Sequence, residues 1–185
     1  MPADQSSERI KFLRGLRAVR DYTADPVSDD VLNDILEVGR WAGSASNKQP
    51  TEVVVVRDAG VKQIIADGGV RPAAGAAVAL VVLTPADDGR RDIDNFDNGR
   101  LVERLLLAAH AHGLGANIGT LKEGGPDAVK QALGIPDGLR PWTVVTLGVT
   151  DEAARKARPK PQNAGRKESG QFAHWDRYQA GRAPR

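Results

Sequence analysis

The chain has 185 residues, 41% hydrophobic and 27% charged, enough for one folded domain with a core of its own. It has no cysteine, which excludes disulfides, thiolate metal sites and thiol nucleophiles together. Net charge is +2 but unevenly placed: residues 151–185 carry nine Lys or Arg against four acids, a net of +5, which leaves −3 on the other 150. A basic tail on a mildly acidic body fits either a bound anion or a solvated arm. It lacks interleaved aromatics and any nucleic-acid module, so no nucleic-acid partner is expected. The start, MPADQSSERI, has no apolar stretch of the signal-peptide kind, and the longest apolar run, 76–83, is too short for a bilayer. A cytoplasmic protein without a membrane partner is the expectation.

In chain order, residues 1–7 are expected to be disordered. Residues 8–20 place Ile10, Leu13 and Leu16 on one helical face. Asp25-Pro26-Val27 interrupts, and Ser28 then caps a helix with Asp29 and Asp30 in its first turn. Val31, Leu32, Ile35, Leu36 and Val38 make this helix amphipathic to about Ala42. Residues 43–50 read as a loop and 53–56 as a buried strand. A short helix over 60–67 and a second strand over 76–83 follow. Residues 85–98 carry seven charges and read as a surface loop or lid. Leu101, Val102, Leu105, Leu106, Ala108 and Ala109 form the strongest helical stripe, ended by Gly113-Leu114-Gly115. A helix over 126–133 and a third strand over 142–149 complete the body. From about Asp151 the periodicity fades, and an extended C-terminal arm is expected over 151–185. Helices alternating with short apolar strands imply a sheet with helices on its faces, in one domain spanning 1–185.

The sequence carries no evident acid, base or nucleophile set. His110, His112 and His174 do not form HExxH, and GxxxxGK[ST] and GxSxG are absent. Gly113, Gly115 and Gly119 give GxGxxxG, which misses the dinucleotide fingerprint by one residue and follows a helix instead of a strand. His110 and His112 fit structural or surface roles, and no metal site is expected. An enzyme of this composition would rely on a bound cofactor for its chemistry.

Three segments resemble the nitroreductase family. Arg17-Ala18-Val19-Arg20-Asp21-Tyr22, followed by Pro26-Val27, is similar to the family's RRSxRxF…PV element. Trp41-Ala42-Gly43-Ser44-Ala45-Ser46-Asn47-Lys48-Gln49-Pro50, leading into a Val-rich strand, resembles the APSxxNxQP loop and is the most specific of the three. Leu105-Leu106-Leu107-Ala108-Ala109 with Gly113-Leu114-Gly115 resembles LLLAA…GLG. Gly165-Arg166-Lys167 stands where the family has a basic phosphate contact. The resemblance covers about residues 10–178.

The resemblance implies an α+β sandwich with a central, mostly antiparallel sheet flanked by helices, and a homodimer that exchanges terminal segments. It implies FMN, bound between the subunits. Arg17 and Arg166 would then grip the phosphate, with Lys167 adding charge, because guanidinium forks match phosphate oxygens. Arg20 would face the ring's N1 and O2 edge, which gains negative charge on reduction. Ala18 and Val19 lie between these arginines on the same flavin-binding segment. Ser44, Ala45, Ser46, Asn47 and Gln49 would reach the flavin of the other subunit. Gly115, Ile118 and Gly119 would bring backbone near the ring. No side chain is expected to be catalytic, since the chemistry belongs to flavin N5. The implied activity is ping-pong hydride transfer from NAD(P)H to a nitroaromatic or quinone-like acceptor. Two other readings remain: a flavin enzyme for a specific substrate with little NAD(P)H turnover, with 87–97 as its lid, and a non-catalytic flavin-binding protein. Leu16 and Ala18 depart from the family's arginine and serine, and Thr51 from its aromatic; all three bear on flavin affinity or pocket shape.

Overall fold

A computed structural model describes residues 3–159 and 165–178. Four strands, β1 (Glu52–Val56), β2 (Val78–Pro85), β3 (Gly115–Thr120) and β4 (Leu139–Gly148), form one antiparallel sheet in the order β1-β2-β4-β3. The helices are α1 (Ala3–Gly15), α2 (Asp29–Arg40), α3 (Ala59–Asp67), α4 (Arg91–Ala111), α5 (Gly125–Leu133), α6 (Glu152–Ala157) and α7 (Ser169–Phe172). The expected α+β sandwich is present, with helices on both faces of the sheet.

The central strands β2 and β4 are buried on both faces, so they read as continuous Val/Leu runs instead of alternating ones. On one face Leu80, Val82, Val145 and Leu147 pack against Leu32 and Ile35 of α2 and Val102 and Leu105 of α4. On the other, Ala79, Val81 and Val144 pack against Ile65 of α3 and Val129 of α5. Burial of each such side chain contributes about 1.5–3 kcal/mol. Gly39 lets α2 and α4 approach: a Cβ there would sit 2.6 Å from Leu105 Cδ2.

The caps explain why α2 and α3 begin where they do. Ser28 Oγ accepts from the Val31 amide at 3.4 Å, and Asp58 Oδ1 from the Val61 amide at 2.8 Å.

Three expectations need correction. The first helix runs from Ala3 to Gly15, so residues 3–7, expected to lack structure, are its opening turns, and Leu16 lies beyond its end. Residues 91–98 are not a loop or lid but the first turns of α4. Residues 115–120 form a fourth strand on the sheet edge, which the glycines of this segment had hidden. Within the arm from Asp151, α6 and α7 are helical; Lys160 and residues 161–164 and 179–185 lie outside the described residues. Among the described residues no helix is long and apolar enough to cross a membrane.

Candidate cofactor site

The site is built on an extended segment and two glycine turns. After α1 the chain runs extended along β3, where Ala18 pairs with Ala116 in a parallel bridge and the Val19 amide donates to the Ala116 carbonyl at 2.7 Å. The Val19 side chain is buried and fixes the segment by packing. Tyr22 pins its far end: the phenol donates to the Val19 carbonyl at 2.6 Å and shares a hydrogen bond with Thr146 Oγ1 at 2.8 Å. Burial pushes the Tyr22 phenol up to about 12, so it is a fixed, neutral strut at physiological pH.

Arg17 and Arg20 leave this segment toward two different hollows. Arg17 opens onto a hollow of about 650 Å³ that also includes Ser6, Ser7, Lys11 and Arg14. Its Nη1 donates to the carbonyls of Arg14 and Leu16 at 2.6 and 2.7 Å, so the same side chain satisfies carbonyls at the end of α1. Arg20 opens onto a cleft of about 970 Å³, where Arg71, Lys122 and Arg158 face Asp67 and Glu123.

The cleft floor at Gly68 and Gly69 is backbone, with the turn at Gly124 and Gly125 packed behind it. Gly68 ends α3 and Gly69 has φ +110°; Gly124, at φ +76°, precedes α5. The Lys122 amide donates to the Gly68 carbonyl at 2.8 Å, and a Cβ on Gly125 would lie 2.6 Å from that same oxygen. The two diglycines therefore permit backbone-to-backbone contact that any side chain at 125 would prevent. Arg158 is fixed at the cleft wall by a two-point ion pair with Asp21, at 2.9 and 2.5 Å. The hydrogen bonds from Arg158 hold the Asp21 carboxyl below its ordinary value of 3.8.

The 44–49 loop lies apart from both hollows on the same chain. It is a 3-10 turn in which Ser46, Asn47 and Gln49 all have positive φ, at 54°, 52° and 49°. Ser44 Oγ accepts from the Gln49 amide at 2.8 Å, and the Ala45 amide donates to Asp97 Oδ2 at 2.8 Å. Ser46, Asn47 and Gln49 are exposed.

The other expected residues are placed as follows. Gly115 and Gly119 open onto protein, not onto a hollow: a Cβ would lie 2.6 Å from Val19 Cγ1 at the first and 2.7 Å from Val70 Cγ1 at the second. Ile118 is half exposed on the α4 side of the edge strand. Arg166 and Lys167 are exposed on the arm, and neither lines either of these two hollows. His110 stacks on Phe12 at 4.8 Å and His112 lies 3.4 Å from Asp34, both structural placements. Arg71, Lys122 and Glu123 escaped the sequence reading. Their signal was the pair of diglycines at 68–69 and 124–125, each marking a turn where backbone comes close to something.

Comparison with known proteins gives concordant matches. The profile of the nitroreductase family matches residues 13–67. A protein of Archaeoglobus fulgidus, provisionally assigned as an NADH dehydrogenase/NAD(P)H nitroreductase, is 30% identical over 147 residues, covering 76% of this chain and 84% of its own. An FMN reductase [NAD(P)H] of Bacillus subtilis is 29% identical over 181 residues, covering 85% of this chain and 72% of its own. Among solved structures, the hypothetical oxidoreductase YcnD of Bacillus subtilis superposes with a TM-score of 0.78 at 24% identity, over 94% of this chain and 76% of that one.

Proposed function

The chain belongs to the nitroreductase family, and from that premise we propose that it is an FMN-dependent oxidoreductase that passes hydride from NAD(P)H to an electron-poor acceptor. One observation carries this reading. Arg17 and Arg20 stand three residues apart on an extended segment, roughly 10 Å of chain, and face separate hollows, one lined by Lys11 and Arg14 and the other by cations in mixed-charge surroundings together with the backbone of Gly68 and Gly69. A ligand with an anionic end and a flat end fits that spacing.

The residues present suit FMN. Lys11, Arg14 and Arg17 would hold the phosphate end; Arg166 and Lys167 line neither hollow of their own chain and would add to that end only from a second copy. Arg20 and Lys122 would bring positive charge to the ring edge, beside the backbone of Gly68 and Gly69 that lines the cleft. When bound, FMN supplies the capacity to take up and release hydride. The protein's part is to bind, orient and bias: a cation at the pyrimidine edge favours the reduced, more negative ring. The cleft is open, so solvent can deliver protons and no side chain is required as an acid. Donor and acceptor take the same place in turn, the ping-pong order. A nitroaromatic or quinone-like acceptor suits a flat, open site of this kind. Dependence on NAD(P)H goes with a cytoplasmic setting.

A homodimer completes the site. Trp41 and Phe96, 67% and 69% exposed, join Ile10, Leu13, Val38, Ile93 and Ile118 as apolar groups left open on a single chain. The 44–49 loop, which meets neither hollow of its own chain, is free to reach the flavin of a second copy.

The test is the visible spectrum of the purified protein with NADPH and NADH added anaerobically. A bound flavin that bleaches at once with one donor is expected. Bound flavin that stays oxidised would move the activity to a specific substrate, and protein that FMN cannot reconstitute would end the enzyme reading.

A further inference from the structure

The first turns of α4 are inverted. Ile93 and Phe96 point outward, while Asp94, Asp97 and Asn98 are buried, each 5% exposed or less. Keeping a carboxylate out of water is costly unless specific partners replace the solvent it loses. Asp97 has two: the Ala45 amide at 2.8 Å and Arg100 Nη1 at 3.6 Å. The Arg100 guanidinium also lies against Gly43, where a Cβ would come within 2.6 Å of Nη2. Asp97 and Arg100 therefore bracket the entry to the 44–49 loop.

We infer that Asp97 is a positioning residue for the cofactor site, its buried carboxylate fixing where the 44–49 loop stands. This rests on the reading above, in which that loop meets the flavin of a second copy. The loop's internal bonds set its shape: the Asn47 amide donates to the Ser44 carbonyl at 3.0 Å, the Lys48 amide to Ala45 at 3.2 Å, and the Gln49 amide to Ser44 Oγ. None of these ties the loop to the body of the domain. The Asp97 bond does, and it continues inward, because the next residue, Asn98, donates Nδ2 to Thr143 Oγ1 of β4 at 2.9 Å. The loop is thereby referenced through α4 to the sheet. Three non-glycine residues in left-handed conformation mark a turn that persists only where its surroundings over-determine it. A cofactor contact made from such a turn depends on its position as much as on its side chains.

The experiment compares wild type, Asp97→Asn and Asp97→Ala by two measurements: amide hydrogen exchange at Ala45 in the flavin-free protein, and the dissociation constant for FMN. Asp97→Ala is expected to speed exchange at Ala45 and to weaken FMN binding by about tenfold or more, the scale of one hydrogen bond to a charged group. Asp97→Asn keeps an oxygen acceptor and should restore most of both. If Asp97→Ala frees the Ala45 amide yet leaves FMN affinity unchanged, the residue is merely structural and the inference is overturned. If Ala45 exchanges as fast in wild type as in Asp97→Ala, the anchor itself is wrong. Wild-type protein that takes up no FMN would refute the functional reading, while the exchange data would still decide the anchor.

Discussion

The cleft floor and the 44–49 loop are both turns of the proposed cofactor site, and they are held in opposite ways. The floor is two diglycines in backbone contact, with the Lys122 amide bonded to Gly68 and no room for a Cβ at 125. The loop uses non-glycine residues in left-handed conformations, and a buried carboxylate ties it to the domain. The floor stays in place because removing side chains lets main chain meet main chain. The loop stays because a polar side chain is spent on holding it. The first arrangement should fail by overpacking and the second by loss of a partner.

The largest effect should come from adding one carbon to the floor. In Gly125→Ala the new Cβ meets the Gly68 oxygen at 2.6 Å and its Cα at 2.9 Å, backbone atoms that cannot rotate away. Overpacking of this kind is expected to cost about 3 kcal/mol, lowering Tm by roughly 9 °C for a chain of this length. Gly124→Ala is the control. It has open space but φ +76°, so only backbone strain of about 1 kcal/mol is expected. Equal losses in the two variants, followed by thermal unfolding, would show that strain and not contact governs the floor.

A second, smaller effect should appear at the cleft without any change in fold. Arg20 is exposed, and the segment that carries it is held by the packing of Val19 and the Tyr22 strut. Arg20→Ala should leave Tm nearly unchanged. It should slow flavin reduction by NAD(P)H and lower the flavin's midpoint potential. Loss of a stabilising donor in a closed site costs about 100-fold or more; solvent screening in an open cleft brings the expectation down to about tenfold. Stopped-flow reduction and a redox titration read the two quantities. An unchanged potential would remove Arg20 from the ring edge.

Much of the fold is legible in the sequence because local signals and tertiary needs agree there. The Ser28 cap and the Val/Leu runs of β1, β2 and β4 say locally what the sheet requires globally. Reading failed where a residue serves a neighbour distant in sequence. The run Gly115-Ala116-Asn117-Ile118-Gly119-Thr120 has too little β-branched character to announce β3, because Val19 and Val70 press on its glycines. Residues 91–98 look like a solvated loop because their acids are conspicuous, yet two of those acids are turned inward. The family resemblance brought out Arg17, Arg20 and the 44–49 loop. Arg71 and Lys122 stayed hidden, since they meet only when the turns after α3 and before α5 are brought together by the sheet.

The smallest effect concerns the approach to the loop, at the end of α2. Glu37 accepts from Arg40 Nε and Nη2 at 2.7 and 2.6 Å and from Trp41 Nε1 at 2.7 Å. The hydrogen bonds from Arg40, then that from Trp41, lower the Glu37 carboxyl from 4.5 to about 2. A depressed carboxyl stabilises the fold only while ionised. Its contribution is therefore complete above pH 4.5 and is lost as pH falls through about 2. The pair is solvent-exposed, so the contribution to stability is small and salt-sensitive. The indole bond makes it observable: Trp41 emission should change with a midpoint near pH 2, and the change should vanish in Trp41→Phe. In Arg40→Ala the midpoint should move up toward 4.5, since the larger of the two causes is gone. If it does not move, the α2 terminus is held by packing alone, and the polar ties that distinguish this side of the site from the glycine floor begin only at Asp97.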